Sequence, residues 1–178
     1  MPRYLPHRKF PAYSYVSGRF PHPHRDPLGH SFGVEPDDVS PPTAEQWRDC
    51  ESYLWGIDLF NAGFYWEAHE AWEQVWISVG RQGAIADFLK ALIKLAAAGV
   101  KAREDRVVGV TRHAKRALEL LDGLDNAHHG DFFGLHVPTL ISGVSFVADN
   151  AEAITHQAVA DNQKHTLPTI LKISNWPS

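Results

Sequence analysis

Beyond residue 43, apolar residues recur at intervals of three and four, a periodicity that predicts amphipathic helices rather than strands. Trp47, Cys50, Tyr53, Leu54, Ile57 and Phe60 form the first stripe, behind Pro41-Pro42 and a capping box made by Thr43 and Gln46. A first helix is expected to open there and to stop at Asn61-Ala62-Gly63, where Gly63 is free to take a left-handed cap. Over 64–79, residues Phe64, Ala68, Ala71, Trp72, Val75, Trp76 and Val79 share a broad apolar face with Tyr65, and Gly80 ends the pattern. Segment 84–103 is the most apolar. Phe88, Leu89, Leu92, Ile93, Leu95, Ala96 and Val100 cover more than half its circumference, which marks a central helix. Its run Ala96-Ala97-Ala98-Gly99 lets a neighbour approach closely. A narrower stripe, Val107, Val110, Ala114, Ala117, Leu118 and Leu121, predicts a fourth helix over 106–121, with Arg112, Lys115, Arg116 and Glu119 as its solvated side. Asp122-Gly123-Leu124-Asp125-Asn126 and His128-His129-Gly130 read as loop. Pro138 then starts a fifth helix through Leu140, Ile141, Val144, Phe146 and Val147.

Residues 1–42 break the pattern. Nine of the twelve prolines and four of the eleven histidines fall there. Proline at that density excludes helix interiors and central strands, so the segment is expected to be an extended or turned arm. Segment 166–173 also reads as extended. The predicted organisation is a proline- and histidine-rich arm over 1–42, a helical bundle over 43–155, and a tail over 156–178 packing on the bundle. The expected fold class is all-α: a small helical bundle of four to five helices with an extended proline-rich N-terminal arm and an extended C-terminal tail.

Composition narrows the function classes. The net charge is −4 and the pI about 6.2, which argues against bulk phosphate-backbone binding, so no nucleic-acid partner is expected. Cys50 is the lone cysteine, which excludes an internal disulfide framework and a Cys-based zinc cage. No apolar run is long enough to span a bilayer, and the first residues lack the apolar core of a secretory signal. These features lead us to expect a cytoplasmic protein with no membrane partner. Long apolar helices and six tryptophans are compatible with a homodimer.

Candidate chemistry concentrates on the second helix, in Glu67-Ala68-His69-Glu70-Ala71-Trp72-Glu73. At about 100° per residue, His69 lies on the edge of the apolar face, Glu73 about 40° further round, Glu70 further out again, and Glu67 almost opposite His69. The four groups therefore cannot converge on one ion. A mononuclear divalent-metal site built here would use His69 and Glu73 as ligands, with Glu70 as ligand or general base. Three protein ligands require another donor, and His22, His24 and His30 on the arm or His113 on the fourth helix are the available imidazoles. Short His-rich tracts are only suggestive of metal, and the simpler expectation for the arm is a proline-stiffened strap whose Tyr13, Tyr15, Phe20 and Phe32 fill grooves. His113 is expected to stand behind the ligands. The doublet His128-His129 is expected in an exposed loop. Lys90 and Lys94 on the third helix can instead pair with Glu70 or Glu73.

No phosphate-binding glycine loop, G-x-S-x-G elbow, zincin pair of histidines or paired di-iron motif is present. Phe60-Asn61-x-Gly63-x-Tyr65-Trp66-Glu67-x-His69-Glu70-x-Trp72-Glu73-x-x-Trp76, followed by Phe88-Leu89-Lys90-x-Leu92-Ile93-x-Leu95-Ala96-Ala97-Ala98, resembles the family catalogued as domain of unknown function 309. The resemblance covers about residues 45–122. It implies a small all-helical bundle, and it carries the label of a predicted metal-dependent hydrolase. Glu67, His69, Glu70 and Glu73 match that family's polar motif. The arm's Gly18-Arg19-x-Pro21-His22-Pro23 and Gly29-His30-Ser31 resemble a leader seen in some of its members.

Two functional readings follow. In the first, preferred because no complete ligand set is visible, the Glu/His residues are a polar seam in a non-catalytic binding or scaffolding module. In the alternative, the protein is a metal-dependent hydrolase using His69, Glu73 and Glu70. What faces His69 and Glu73 decides between them.

Overall fold

A computed structural model describes residues 3–35, 38–128, 130–160, 167–168 and 171–176. Among the described residues six α-helices carry the fold, so the protein is an all-α bundle: α1 (Glu51–Asn61), α2 (Tyr65–Ser78), α3 (Ala84–Arg103), α4 (Val107–His128), α5 (Val137–Asp149) and α6 (Ala151–Ala160). A two-stranded antiparallel hairpin, β1 (Asp131–Phe132) and β2 (Leu135–His136), separates α4 from α5. The central helix is α3, packed against α2, α4 and α6. Its residues Phe88, Leu89, Leu92 and Leu95 are fully buried.

The start of α1 differs from expectation. Thr43 Oγ1 does accept the Gln46 N–H, at 3.2 Å, but only a turn and a short 3-10 segment (Trp47–Asp49) follow. Cys50 takes an extended conformation, and the α-helix begins at Glu51. Trp47 is the physical reason: it is buried against Tyr53, Phe133 and the backbone of Gly134, which pulls the chain out of helical register. The other end is as expected. Gly63 sits at φ +84° and its N–H donates to the Phe60 carbonyl at 2.9 Å.

Two large side chains lie on glycines, and they set how closely α1, α2 and α3 pack. Trp72 covers Gly56, where an added Cβ would stand 2.2 Å from the indole nitrogen, and the Tyr65 ring covers Gly99 at 2.5 Å. Both aromatic side chains are fully buried. The small run in α3 thus serves Tyr65.

The loop expected over 122–126 is helix. Leu121 and Leu124 continue the buried stripe of Val110, Ala114 and Ala117, while Gly123 faces outward with nothing near its missing side chain. Accordingly His128 ends α4, and His129 lies outside the described residues. Helix α6 was also not expected; it buries Ala151, Ile154, Thr155 and Ala158 and packs on α3 and α4.

The arm and the tail are pinned by side chains of α1 and α2. Asp58, 3% exposed, accepts the N–H groups of Tyr4 and Leu5 at 2.9 and 2.8 Å, with Arg3 Nε at 3.7 Å. Phe10 stacks between Trp55 and Phe64. The arm turns repeatedly. Gly29 is pressed on the carbonyls of His22 and Pro23, and Ser31 N–H donates to Pro23 at 3.1 Å. Tyr13 stacks on Phe20 and Tyr15 meets Trp66 edge-on, whereas Phe32 is 51% exposed and fills no groove. In the tail, Leu167, Leu171 and Ile173 are buried in the core cluster. Asn61 makes both amide hydrogen bonds to the Leu171 backbone, at 2.7 and 2.8 Å.

Candidate functional site

The polar residues of α2 divide between two of its sides, because residues two apart on a helix point about 160° away from each other. On one side stands Glu67, 6% exposed. Its Oε1 accepts the Tyr15 N–H at 2.8 Å and lies 3.1 Å from His30 Nε2, while His30 Nδ1 lies 2.9 Å from Ser31 Oγ. Glu67 Oε2 is buried without a hydrogen bond. Arg103 of α3, itself buried, faces Tyr65 with its guanidinium 4.9 Å from the ring centroid. Burial lowers the Arg103 pKa, and the neighbouring Tyr65 and Glu67 partly restore it. Glu67 is therefore a structural anchor for the arm.

On the other side, His69, Glu70 and Glu73 each offer a ligand atom, and the three atoms lie within 4.8 Å of one another. His69 Nδ1 stands 3.6 Å from Glu70 Oε1; the two side chains are 28% and 33% exposed. That ring nitrogen is buried and makes no hydrogen bond. Glu70 and Glu73, three residues apart on one helix face, repel each other unless a cation lies between them. Two ligands of one ion at about 2.1 Å stand roughly 3.4 Å apart in tetrahedral geometry, so closing this cluster on an ion takes only side-chain rotation. One imidazole and two carboxylates form a donor set suited to a divalent transition metal. The residues fit a metal.

The arm's histidines are placed elsewhere. His30 is committed to Glu67 and Ser31, and the rings of His22 and His24 lie against Trp66, with centroids 5.7 and 5.8 Å away. His24 and His30 do share with Glu70 a cleft of about 500 Å³ between the arm, α1 and α2, walled by Trp55 and Trp66. Glu70 is thus the member of the cluster that faces this cleft. Among the described residues, the only grouping of three metal-ligating side chains is His69, Glu70 and Glu73.

The far side of the cluster is cationic. Lys94 on α3 feels Glu73, and His113 on α4 feels His69. Lys90 instead lays its ammonium over the Trp76 ring, 3.8 Å from the centroid. Among the described residues, neither lysine forms an ion pair with Glu70 or Glu73. Burial, with Lys94, Arg112, Lys101 and His69 adding to it, lowers the His113 pKa to about 4. The ring is therefore neutral at physiological pH.

Sequence reasoning passed over Asp58 and Arg103. An acid set between Ile57 and Leu59-Phe60, within an apolar stripe, is the signal that would have marked Asp58 as a buried anchor. Nothing comparable marks Arg103, whose partner lies on another helix.

Fold and site together define a small helical bundle with a His/Glu cluster on its second helix. Residues 53–113, from α1 into α4, match the family model described as Domain of unknown function (DUF309). No curated protein and no solved structure matches the chain.

Proposed function

We propose that this protein is a binding module for a divalent metal ion, held by His69, Glu70 and Glu73. The observation that carries this reading is the convergence of three donor atoms, one each from His69, Glu70 and Glu73, within 4.8 Å; beside it, His69 Nδ1 is buried with no hydrogen bond. Glu67 hydrogen-bonds Tyr15 and His30 of the arm, which supports a structural role for that residue, whereas the His69 cluster is half-open. Burial keeps the neighbouring His113 neutral, so it adds no charge opposed to a cation.

A second reading, hydrolysis, rests on the position of Glu70. It is the member of the metal cluster that lines the arm cleft, and in this reading it would hold or accept a proton from a water next to a bound substrate. An ion at the cluster would supply Lewis acidity and a water of lowered pKa. Trp55 and Trp66 would exclude bulk solvent from an apolar part of that substrate.

The test is calorimetric titration of chelator-treated, tag-free protein with zinc and manganese. One ion per chain is expected, with affinity reduced in His69→Ala and Glu73→Ala by more than the roughly 10- to 100-fold that loss of an outer-shell partner costs. Glu67→Gln should bind as the parent does. Absence of uptake of either ion by the folded parent would overturn the proposal.

A further inference from the structure

Beyond the His/Glu cluster, α3 and α4 together form a cleft lined by Lys94, Arg112, His113, Lys115, Arg116 and Glu119. Four cationic side chains face one carboxylate there, in a chain whose net charge is −4. That carboxylate is already used: Glu119 pairs with Arg116 at 2.6 Å, both on the exposed face of α4. Lys94, Arg112 and Lys115 form no ion pair among the described residues. Like charges held together without counter-charges repel, and dispersing them over the surface would be the lower-energy arrangement.

We propose that this cleft is a binding site for the phosphoryl group of a small phosphate ester. Arg112 and Arg116 lie one helical turn apart and present planar donor forks, while Lys94 reaches in from the facing helix. A dianion with three equivalent oxygens satisfies several such donors at once, whereas a carboxylate would leave most of them unmatched. A concave site between two helices fits a compact group better than an extended polymer.

The cleft also adjoins the cluster. Lys94 lies within electrostatic reach of Glu73, and His113, which lines the cleft, lies within reach of His69. An anion held there would stand beside an ion bound by His69, Glu70 and Glu73. As an anion site the inference stands on the cleft alone; as the substrate class of a metal-assisted reaction it rests on the metal reading above.

The experiment uses the full chain, freed of metal by chelation, and titrates it with inorganic phosphate at low ionic strength, followed by ³¹P line broadening and calorimetry. Saturable binding is expected, weakening with added salt. Binding should fall at least about tenfold in Arg112→Ala/Lys94→Ala. It should be unchanged in His69→Ala, so that failure of the metal site and failure of the anion site are told apart. Arg112 is exposed and Lys94 only partly buried, so the double variant is expected to keep the parent's helical circular dichroism. Acetate at equal ionic strength should not compete. Equal affinity in parent and double variant would overturn the proposal. So would capture by phosphatidic-acid vesicles without any binding of free phosphate, which would make the cleft a membrane contact instead.

Discussion

His113 gives the fold a pH dependence whose sign follows from its surroundings. Its pKa is about 4 in the folded chain, against an ordinary 6.5, with burial as the main cause and Lys94, Arg112, Lys101 and His69 adding to it. Between those values the unfolded chain takes up a proton that the folded chain refuses, so stability falls as pH is lowered from 6.5 towards 4. His113→Gln, which cannot titrate, should flatten that part of the profile. Urea unfolding at pH 7 and pH 4.5 tests this on metal-free protein; equal losses in parent and variant would show that other groups set the slope. Two glycines make an independent contrast. A methyl at Gly99 meets the Tyr65 ring at 2.5 to 2.8 Å, and Tyr65 cannot retreat because it is fully buried and its hydroxyl accepts the Leu167 N–H at 2.8 Å. Gly99→Ala should therefore cost about 1–3 kcal/mol. Gly123 lies in α4 with open space beside it, and Gly123→Ala should be neutral or stabilise by up to about 1 kcal/mol. Thermal melts of both decide the point, and similar shifts in the two variants would contradict it.

At the scale of elements, the arm is held by two buried carboxylates, one on each of α1 and α2. Glu67→Ala removes the acceptor for Tyr15 and the partner of His30, and leaves Arg103 with less compensation for its burial. A loss of about 2–4 kcal/mol is expected, with the arm opening locally before the bundle unfolds. Limited trypsin digestion reads this directly, since Arg19 and Arg25 should become the early cleavage points. An unchanged cleavage pattern would mean the aromatic contacts alone keep the arm down. The same two anchors show what the sequence could and could not reveal. Helix α3 was legible because more than half its circumference is apolar, and that signal needs no partner. The end of α4 was not, because Asp122-Gly123 reads as a turn until Leu124 is seen to continue a stripe whose other side is set by α5. Around the site, the wheel placed His69 beside Glu73 and set Glu67 apart. It could not show that the arm lies over Glu67, or that Glu70 closes to within ligand reach of the other two. Periodicity reports one helix at a time, and a site is made between elements.

Over the whole molecule, arm and tail are tied to each other as well as to α1. Tyr4, whose N–H donates to Asp58, accepts the Ile173 N–H at its hydroxyl oxygen at 2.7 Å and meets Trp176 edge-on, 4.9 Å between centroids. Asn61, one turn along α1 from Asp58, holds the Leu171 backbone. Segments from opposite ends of the described chain thus close over the same helix, and they add buried Leu5, Leu171 and Ile173 to a core the six helices leave open there. A clasp of this kind should behave as a unit. Tyr4→Phe removes only the hydroxyl and should cost about 1 kcal/mol in the parent, since it strands the buried Ile173 N–H. In an Asn61→Ala background the tail is already released from α1, and the same substitution should cost much less. The expected coupling is about 0.5–2 kcal/mol, measured as a double-mutant cycle by urea unfolding. Additive effects would mean that arm and tail dock independently, and the stability of the bundle would then not depend on their meeting.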